Sequence, residues 1–265
     1  MLLKSVQREK KTLSLFNLAV LISGSGSNLQ AVIDAIENGT ILNAKVALVI
    51  SSRENVFGLE RAEKHGITNI VIDRLNTEKL LDTLKAHNVD GIILAGYLTV
   101  LTPDVITAYN DRIINIHPAL LPLFGGKGFY GIKVHQAVLA SKEKYTGATA
   151  HLVDCGIDTG ATLVRGVLPV LPGDTAESLQ KRVLKVEHVV LVEAVKALVE
   201  GKIKELIKKP LTIVNGEDKI GIQEYAKKLM KLGEALTEEN LVIAGSTRNL
   251  MNSACSLGIA ARRPQ

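Results

Sequence analysis

Five short aliphatic runs, at residues 16–22, 45–50, 70–72, 91–94 and 113–116, carry Val, Ile and Leu with almost no polar alternation. A strand with one wet face alternates apolar and polar residues. Runs of this kind therefore predict strands buried on both faces, as in a parallel sheet. Amphipathic stretches at residues 29–37, 58–65, 77–87 and 103–109 separate them. Strand–helix alternation implies right-handed βαβ units, and hence an α/β fold: a Rossmann-like, mostly parallel twisted sheet flanked by helices. With 265 residues, 46% of them hydrophobic, the chain can bury one substantial core and append a small second unit.

After Pro118 the pattern changes. A glycine-rich loop, Gly125-Gly126-Lys127-Gly128, leads to a helix near residues 133–141, then to strands at 146–153 and 162–170. Asp174-Thr-Ala-Glu177 reads as a capping box opening a long helix, with Leu179, Val183, Val186 and Val190 as its apolar stripe. That helix ends near residue 200, and a basic linker at 202–209 closes with Pro210. Residues 17–205 thus form the main domain. Residues 210–265 start a new pattern, a strand at 211–214 and a helix at 222–232, in a piece too short for a core of its own. It has to dock, oligomerise or stay partly disordered.

At the other end, Lys4, Arg8, Lys10 and Lys11 precede an apolar run and then small residues, the layout of a signal peptide. Cleavage there would remove the first strand and the loop after it, so residues 1–16 read as an extension. No run reaches the roughly 18 to 20 apolar residues of a membrane span. A net charge of +5 suits an anionic small substrate. With no Trp and 3% aromatic residues the chain is poorly supplied for stacking on bases, which argues against nucleic acid as a partner. Two cysteines, Cys155 and Cys255, lie far apart and make neither a disulfide framework nor a metal set, which fits a reducing cytoplasm.

The chemistry concentrates where the fifth strand stops. Asn115 and His117 are two positions apart, so in a strand they project from one face, and Pro118 ends the ladder just beyond them. The carboxyl end of a strand in such a sheet is where ligand crevices open. An amide donor beside a titratable base suits a reaction in which a carbonyl oxygen gains charge while a proton moves; the same pair could also be a satisfied core hydrogen bond. Asp158, in Gly156-Ile-Asp-Thr-Gly160, is either a carboxylate that raises the pKa of His117 or a residue that stabilises a turn. His151 could line the same crevice or fill a polar gap. His65, His87, His135 and His188 are expected at ordinary surface or helix-end positions.

A second feature follows the first strand. Gly24-Ser-Gly-Ser-Asn28 opens a helix, where free backbone N–H groups favour an anion. A dinucleotide site is not indicated, because Leu29 replaces the third glycine of the fingerprint and Ser51 and Ser52 stand where an acid would close strand two. A single phosphate suits the polar donors better; a tight turn without ligand is the alternative.

These pieces together resemble the folate-dependent phosphoribosylglycinamide formyltransferases (glycinamide ribonucleotide transformylases). The match runs over about residues 18–203. It is carried by Ile22-Ser-Gly-Ser-Gly-Ser-Asn28, Phe57-Gly-Leu-Glu-Arg61, Leu94-Ala-Gly-Tyr97, Asn115-Ile-His-Pro-Ala-Leu-Leu-Pro122, Gly147-Ala-Thr149, Asp158-Thr-Gly160 and Glu187-His188. The resemblance implies a formyltransferase fold and formyl transfer from 10-formyltetrahydrofolate, as co-substrate, to the amine of 5'-phosphoribosylglycinamide in purine synthesis. It implies Asn115, His117 and Asp158 as catalytic, with His117 protonated. Gly26, Ser27 and Asn28 would hold the phosphate. Glu187 would accept from the ribose, though it also reads as a solvent-facing helix acid. Leu98, Thr99, Val100 and Leu101, with Asn115, would meet the folate. No metal is called for, and the chain is expected as a monomer or homodimer.

Some positions depart from the family pattern. Ala119 and Thr99 stand where serine and arginine are usual, the loop at 123–132 is longer than in compact members, and Arg74 is the candidate for the folate tail. The tail motifs at 218–222 and 244–247 weakly resemble the start of an IMP cyclohydrolase domain. Rival readings are another folate-dependent formyltransferase, such as the methionyl-tRNA enzyme, a formyltetrahydrofolate hydrolase, or a non-catalytic nucleotide-binding protein.

Overall fold

Each aliphatic run forms a strand, and the amphipathic stretches form the helices between them. The computed structural model describes residues 14–73, 76–215 and 241–244. Arg74, the helix expected at 222–232 and most of the tail motifs lie outside the described residues. In chain order the elements are β1 (Phe16–Ile22), α1 (Ser27–Glu37), β2 (Ala44–Ser51), α2 (Phe57–Lys64), β3 (Asn69–Val71), α3 (Thr77–Ala86), β4 (Gly91–Leu94), α4 (Pro103–Ala108) and β5 (Ile113–His117). Then follow α5 (Ile132–Ala140), β6 (Tyr145–Leu152), β7 (Thr162–Pro169), α6 (Ala176–Val199), α7 (Ile203–Lys208), β8 (Leu211–Asn215) and β9 (Leu241–Ala244).

Among the described residues the strands form one nine-stranded sheet, ordered β3-β2-β1-β4-β5-β6-β7-β8-β9. Every neighbouring pair is parallel except the two that involve β6. Alternate residues along β1 separate two packed faces. Leu18, Val20 and Ile22 join a cluster with Leu29, Val32, Val138, Leu179, Val183 and Val190, from α1, α5 and α6. Ala19 and Leu21 join the opposite cluster with Leu80, Leu84, Val105 and Ile106, from α3 and α4. Burial on both sides is why these strands carry no polar alternation.

The strand order reverses between β1 and β4, which lie side by side. Leu21 pairs with Leu94, and Leu94 pairs with Asn115. The loops that leave β1, β4 and β5 therefore open at one edge of the sheet, at the switch point where α/β folds form their crevice.

Three local expectations are corrected. The capping box of α6 lies one residue later than Asp174 and Glu177: Thr175 accepts from the Ser178 N–H while the Ser178 hydroxyl accepts from the Thr175 N–H. Asp174 instead accepts from Leu171 N and the Ser178 hydroxyl and pairs with Arg182. The basic stretch at 202–209 is not an open linker, since Ile203 is buried and α7 forms there. His135 is not at the surface; it is 1% exposed. β8 docks beside β7 and continues the sheet.

Candidate active site

β5 presents Asn115 and His117 on one face because they are two residues apart, and the ladder places Asn115 opposite His151 and His117 opposite Thr149 of β6. Asp158 reaches them from the loop between β6 and β7. Its backbone is left-handed, φ 59, a conformation that Asp tolerates better than most residues. The loop can turn back this closely because Gly160 lies against the Leu152 carbonyl, where a side chain would collide.

The expected trio converges. Asp158 Oδ2 lies 3.4 Å from His117 Nδ1, and Oδ1 lies 3.4 Å from Asn115 Nδ2. His151 joins them, with Nε2 at 3.0 Å from Asn115 Nδ2. The glycine-rich loop closes over the trio: Gly126 N–H donates to Asp158 Oδ2 at 3.0 Å, and the Phe124 carbonyl sits 2.8 Å from His117 Nε2. A carbonyl only accepts, so Nε2 carries the proton and Nδ1 faces the carboxylate. Phe124 holds this position at φ 55, a costly conformation for a bulky residue and one that accumulates at functional sites. Gly125 beside it is closely packed: a Cβ there would come within 2.5 Å of the end of the Leu121 side chain and 3.3 Å of the Asp158 Cβ. The sequence showed this stretch only as a long, glycine-rich loop. Nothing in its residue types announced that its backbone would hold His117.

The electrostatics differ from expectation. Burial lowers the His117 pKa below the usual imidazole value and outweighs the opposing pull of the Asp158 charge. His117 is 4% exposed and neutral at pH 7, not the standing imidazolium expected from the carboxylate alone. Burial pushes the Asp158 carboxyl up, but the His151 and His117 rings and the Gly126 N–H outweigh it and leave it below the usual range. The trio therefore rests as carboxylate, neutral imidazole and amide. His135, buried behind it, is pushed down to about 4 by burial and by His117.

The glycine loop after β1 takes the expected shape. Gly26 is the N-cap of α1 at φ 69, with no side-chain cap, so the amides of Ser27, Asn28 and Leu29 begin the helix without intrahelical partners. α2 packs close behind: a Cβ on Gly26 would come within 2.7 Å of Gly58 Cα. Arg61 Nε donates to the Ser25 carbonyl at 2.9 Å. Glu187 is not solvent-facing. It is 8% exposed, accepts from Asn28 Nδ2 at 2.8 Å, and its pKa is raised by burial. Asn28 Oδ1 is buried without a hydrogen-bond partner among the described residues. A buried amide and acid beside free helix amides suit a polar, anionic ligand with hydroxyl groups.

The four residues expected to meet the folate, 98–101, divide. Leu98 and Val100 are 54% and 66% exposed, an unusual outlay of apolar surface beside the crevice. Thr99 is half-buried, while Leu101 packs into the second core cluster, so only its backbone can meet a ligand.

Residues 16–195 match the formyl transferase family. A chloroplastic phosphoribosylglycinamide formyltransferase of Arabidopsis thaliana is 43% identical over 71% of this chain, which spans 66% of that plant protein's length. The phosphoribosylglycinamide formyltransferase of Haemophilus influenzae is 34% identical over 76% of this chain and 94% of its own. Among solved structures, glycinamide ribonucleotide transformylase 1 of Symbiobacterium toebii superposes with a TM-score of 0.66. It is 38% identical over 71% of this chain and 89% of that one.

Proposed function

Because the chain belongs to the formyl transferase family, we propose that it transfers a formyl group from 10-formyltetrahydrofolate to the amine of 5'-phosphoribosylglycinamide, as in purine biosynthesis. One observation carries the reading: an amide donor, a neutral imidazole and a carboxylate meet at the end of β5, on the sheet edge where the uncapped start of α1 also opens.

The amines and carbonyls balance without a covalent enzyme intermediate. The glycinamide nitrogen bonds to the formyl carbon, and the carbonyl oxygen becomes an oxyanion. Asn115 Nδ2–H donates to that oxyanion, an interaction worth about 3 to 4 kcal/mol when the donor is aimed in advance. His117 Nδ1, neutral at rest, accepts a proton from the attacking nitrogen. Asp158 Oδ2, 3.4 Å away, offsets the imidazolium that results. The same proton then passes to the departing folate nitrogen as its bond to the formyl carbon breaks.

The Ser27 and Asn28 amides and Gly26 would hold the phosphate, and Glu187 a ribose hydroxyl. Leu98 and Val100 offer the apolar surface a pterin needs, with Thr99, Asn115 and the backbone of Leu101 beside it. Holding both substrates at one edge supplies the rest of the acceleration. A reducing compartment such as the cytoplasm fits the free thiol of Cys155. No helix among the described residues is long and apolar enough to cross a membrane.

The test is an assay of the purified protein with both substrates, following formylated product and free formate. Formylation dependent on the ribonucleotide is expected. Formate release without it would replace this reading with a hydrolase.

A further inference from the structure

An amide side chain presents a donor or an acceptor depending on which way it is turned, and Asn115 can stabilise an oxyanion only with its NH2 toward the crevice. We infer that His151 sets this choice and is a positioning residue for Asn115; the inference rests on the formyl-transfer reading above.

His151 is 2% exposed on β6, directly opposite Asn115 in the β5–β6 ladder. Its Nδ1 lies 2.7 Å from the Leu152 carbonyl oxygen, which can only accept, so Nδ1 carries a proton. In the neutral ring that leaves a lone pair on Nε2, and Nε2 lies 3.0 Å from Asn115 Nδ2. Only the NH2 end of the amide satisfies it. Asp158 Oδ1, 3.4 Å from the same nitrogen, is a second acceptor on that side. Turned the other way, the amide oxygen would face a lone pair and a carboxylate at once.

The two hydrogens of Asn115 therefore have different duties. One is bound by His151 at ordinary hydrogen-bond length. The other points into the loose contact with Asp158, where a developing oxyanion could take it. The direct approach of His151 Nε2 to Asp158 Oδ1 is 3.6 Å, too long for a hydrogen bond, and does not compete. A register shift between Ala150 and His151 in the β6–β7 pairing lies at this point, as bulges do where a side chain is re-aimed.

Nitrogen NMR of the ligand-free protein reads the ring directly, with no activity needed. We expect His151 as the tautomer with Nδ1–H and bare Nε2 at neutral pH; a proton on Nε2 would overturn the inference. Kinetics then test the coupling through His151→Ala and Asn115→Ala, singly and together. His151→Ala should lower kcat about 10- to 100-fold with both KM values within about threefold, and His151→Gln, which restores an acceptor, should recover most of the loss. In the Asn115→Ala background the His151 change should cost less than about twofold. Equal losses in both backgrounds, in a wild type that transfers formyl, would sink this inference alone. A wild type that transfers no formyl would instead remove the functional reading and the catalytic half of this one.

Discussion

At the residue scale, His117 is governed by a contest between burial and a neighbouring charge, and burial wins. The His117 pKa lies below 6.5 in the ligand-free protein, with the Asp158 carboxylate working against the shift. On acidification His117 therefore stays neutral past 6.5 and takes up its proton only lower. Imidazole resonances followed by NMR should show this midpoint, and Asp158→Asn should move it lower still, because the opposing charge is gone. A rise in that variant would contradict the account. His117→Ala should lower kcat about 100- to 1,000-fold, the range for removing a group that acts on the developing charge. Asn28→Asp would set a second carboxylate where Asn28 Nδ2 now donates to Glu187. KM for the ribonucleotide should rise at least about tenfold while KM for the folate changes little; equal rises would argue against an anion site at α1. The two-residue spacing of Asn115 and His117 made their shared face readable from the chain. The state of His117 was not readable, because it depends on how deeply the Phe124–Gly126 backbone buries it.

At the element scale, the proposed anion cradle is a contact between a turn and a helix. Gly58 at the start of α2 donates its N–H to the Gly24 carbonyl at 3.1 Å, and a Cβ there would collide with the end of the Ile22 side chain. Gly58→Ala should therefore destabilise the protein by about 1 to 3 kcal/mol and raise KM for the ribonucleotide. Denaturant unfolding with substrate kinetics checks both, and an unchanged KM would mean the loop is held in place by other contacts. The Phe57-Gly-Leu-Glu-Arg61 stretch was visible in the chain as a motif without a purpose. Its purpose is steric and electrostatic support of a loop more than thirty positions away, which no local pattern encodes. The box on α6 was misplaced by one residue for a related reason: Asp174, Thr175 and Ser178 are all capping types, and only the hydrogen bonds made decide which one caps.

At the scale of the whole molecule, the sheet does not stop where the family match does. The match ends at residue 195, yet β8 pairs with β7 along Val164–Leu211, Arg165–Thr212, Gly166–Ile213 and Val167–Val214. Ile213 and Val214 are buried. Removing residues 210–265 would leave β7 as an exposed, apolar edge, a template for association with other chains. The truncated protein should lose solubility and several degrees of melting temperature, while each remaining folded molecule keeps kcat within about twofold, since no residue of the crevice comes from β8. A large fall in kcat for the monomeric fraction would show that the tail contributes to the site itself.

Local periodicity alone marked β1 to β8 and most of the helices, because burial on two faces imprints a pattern on every residue of a run. The spacing of Asn115, His117 and Pro118, and the glycines before Asn28, likewise marked a shared strand face and a turn into a helix. It took the folded chain to bring Asp158, His151, Phe124 and Gly126 onto that strand end, to turn Glu187 inward to Asn28, and to lower the pKa of His117 by burial. These depend on distance and desolvation between segments remote in the chain, and neither quantity is carried by residue type.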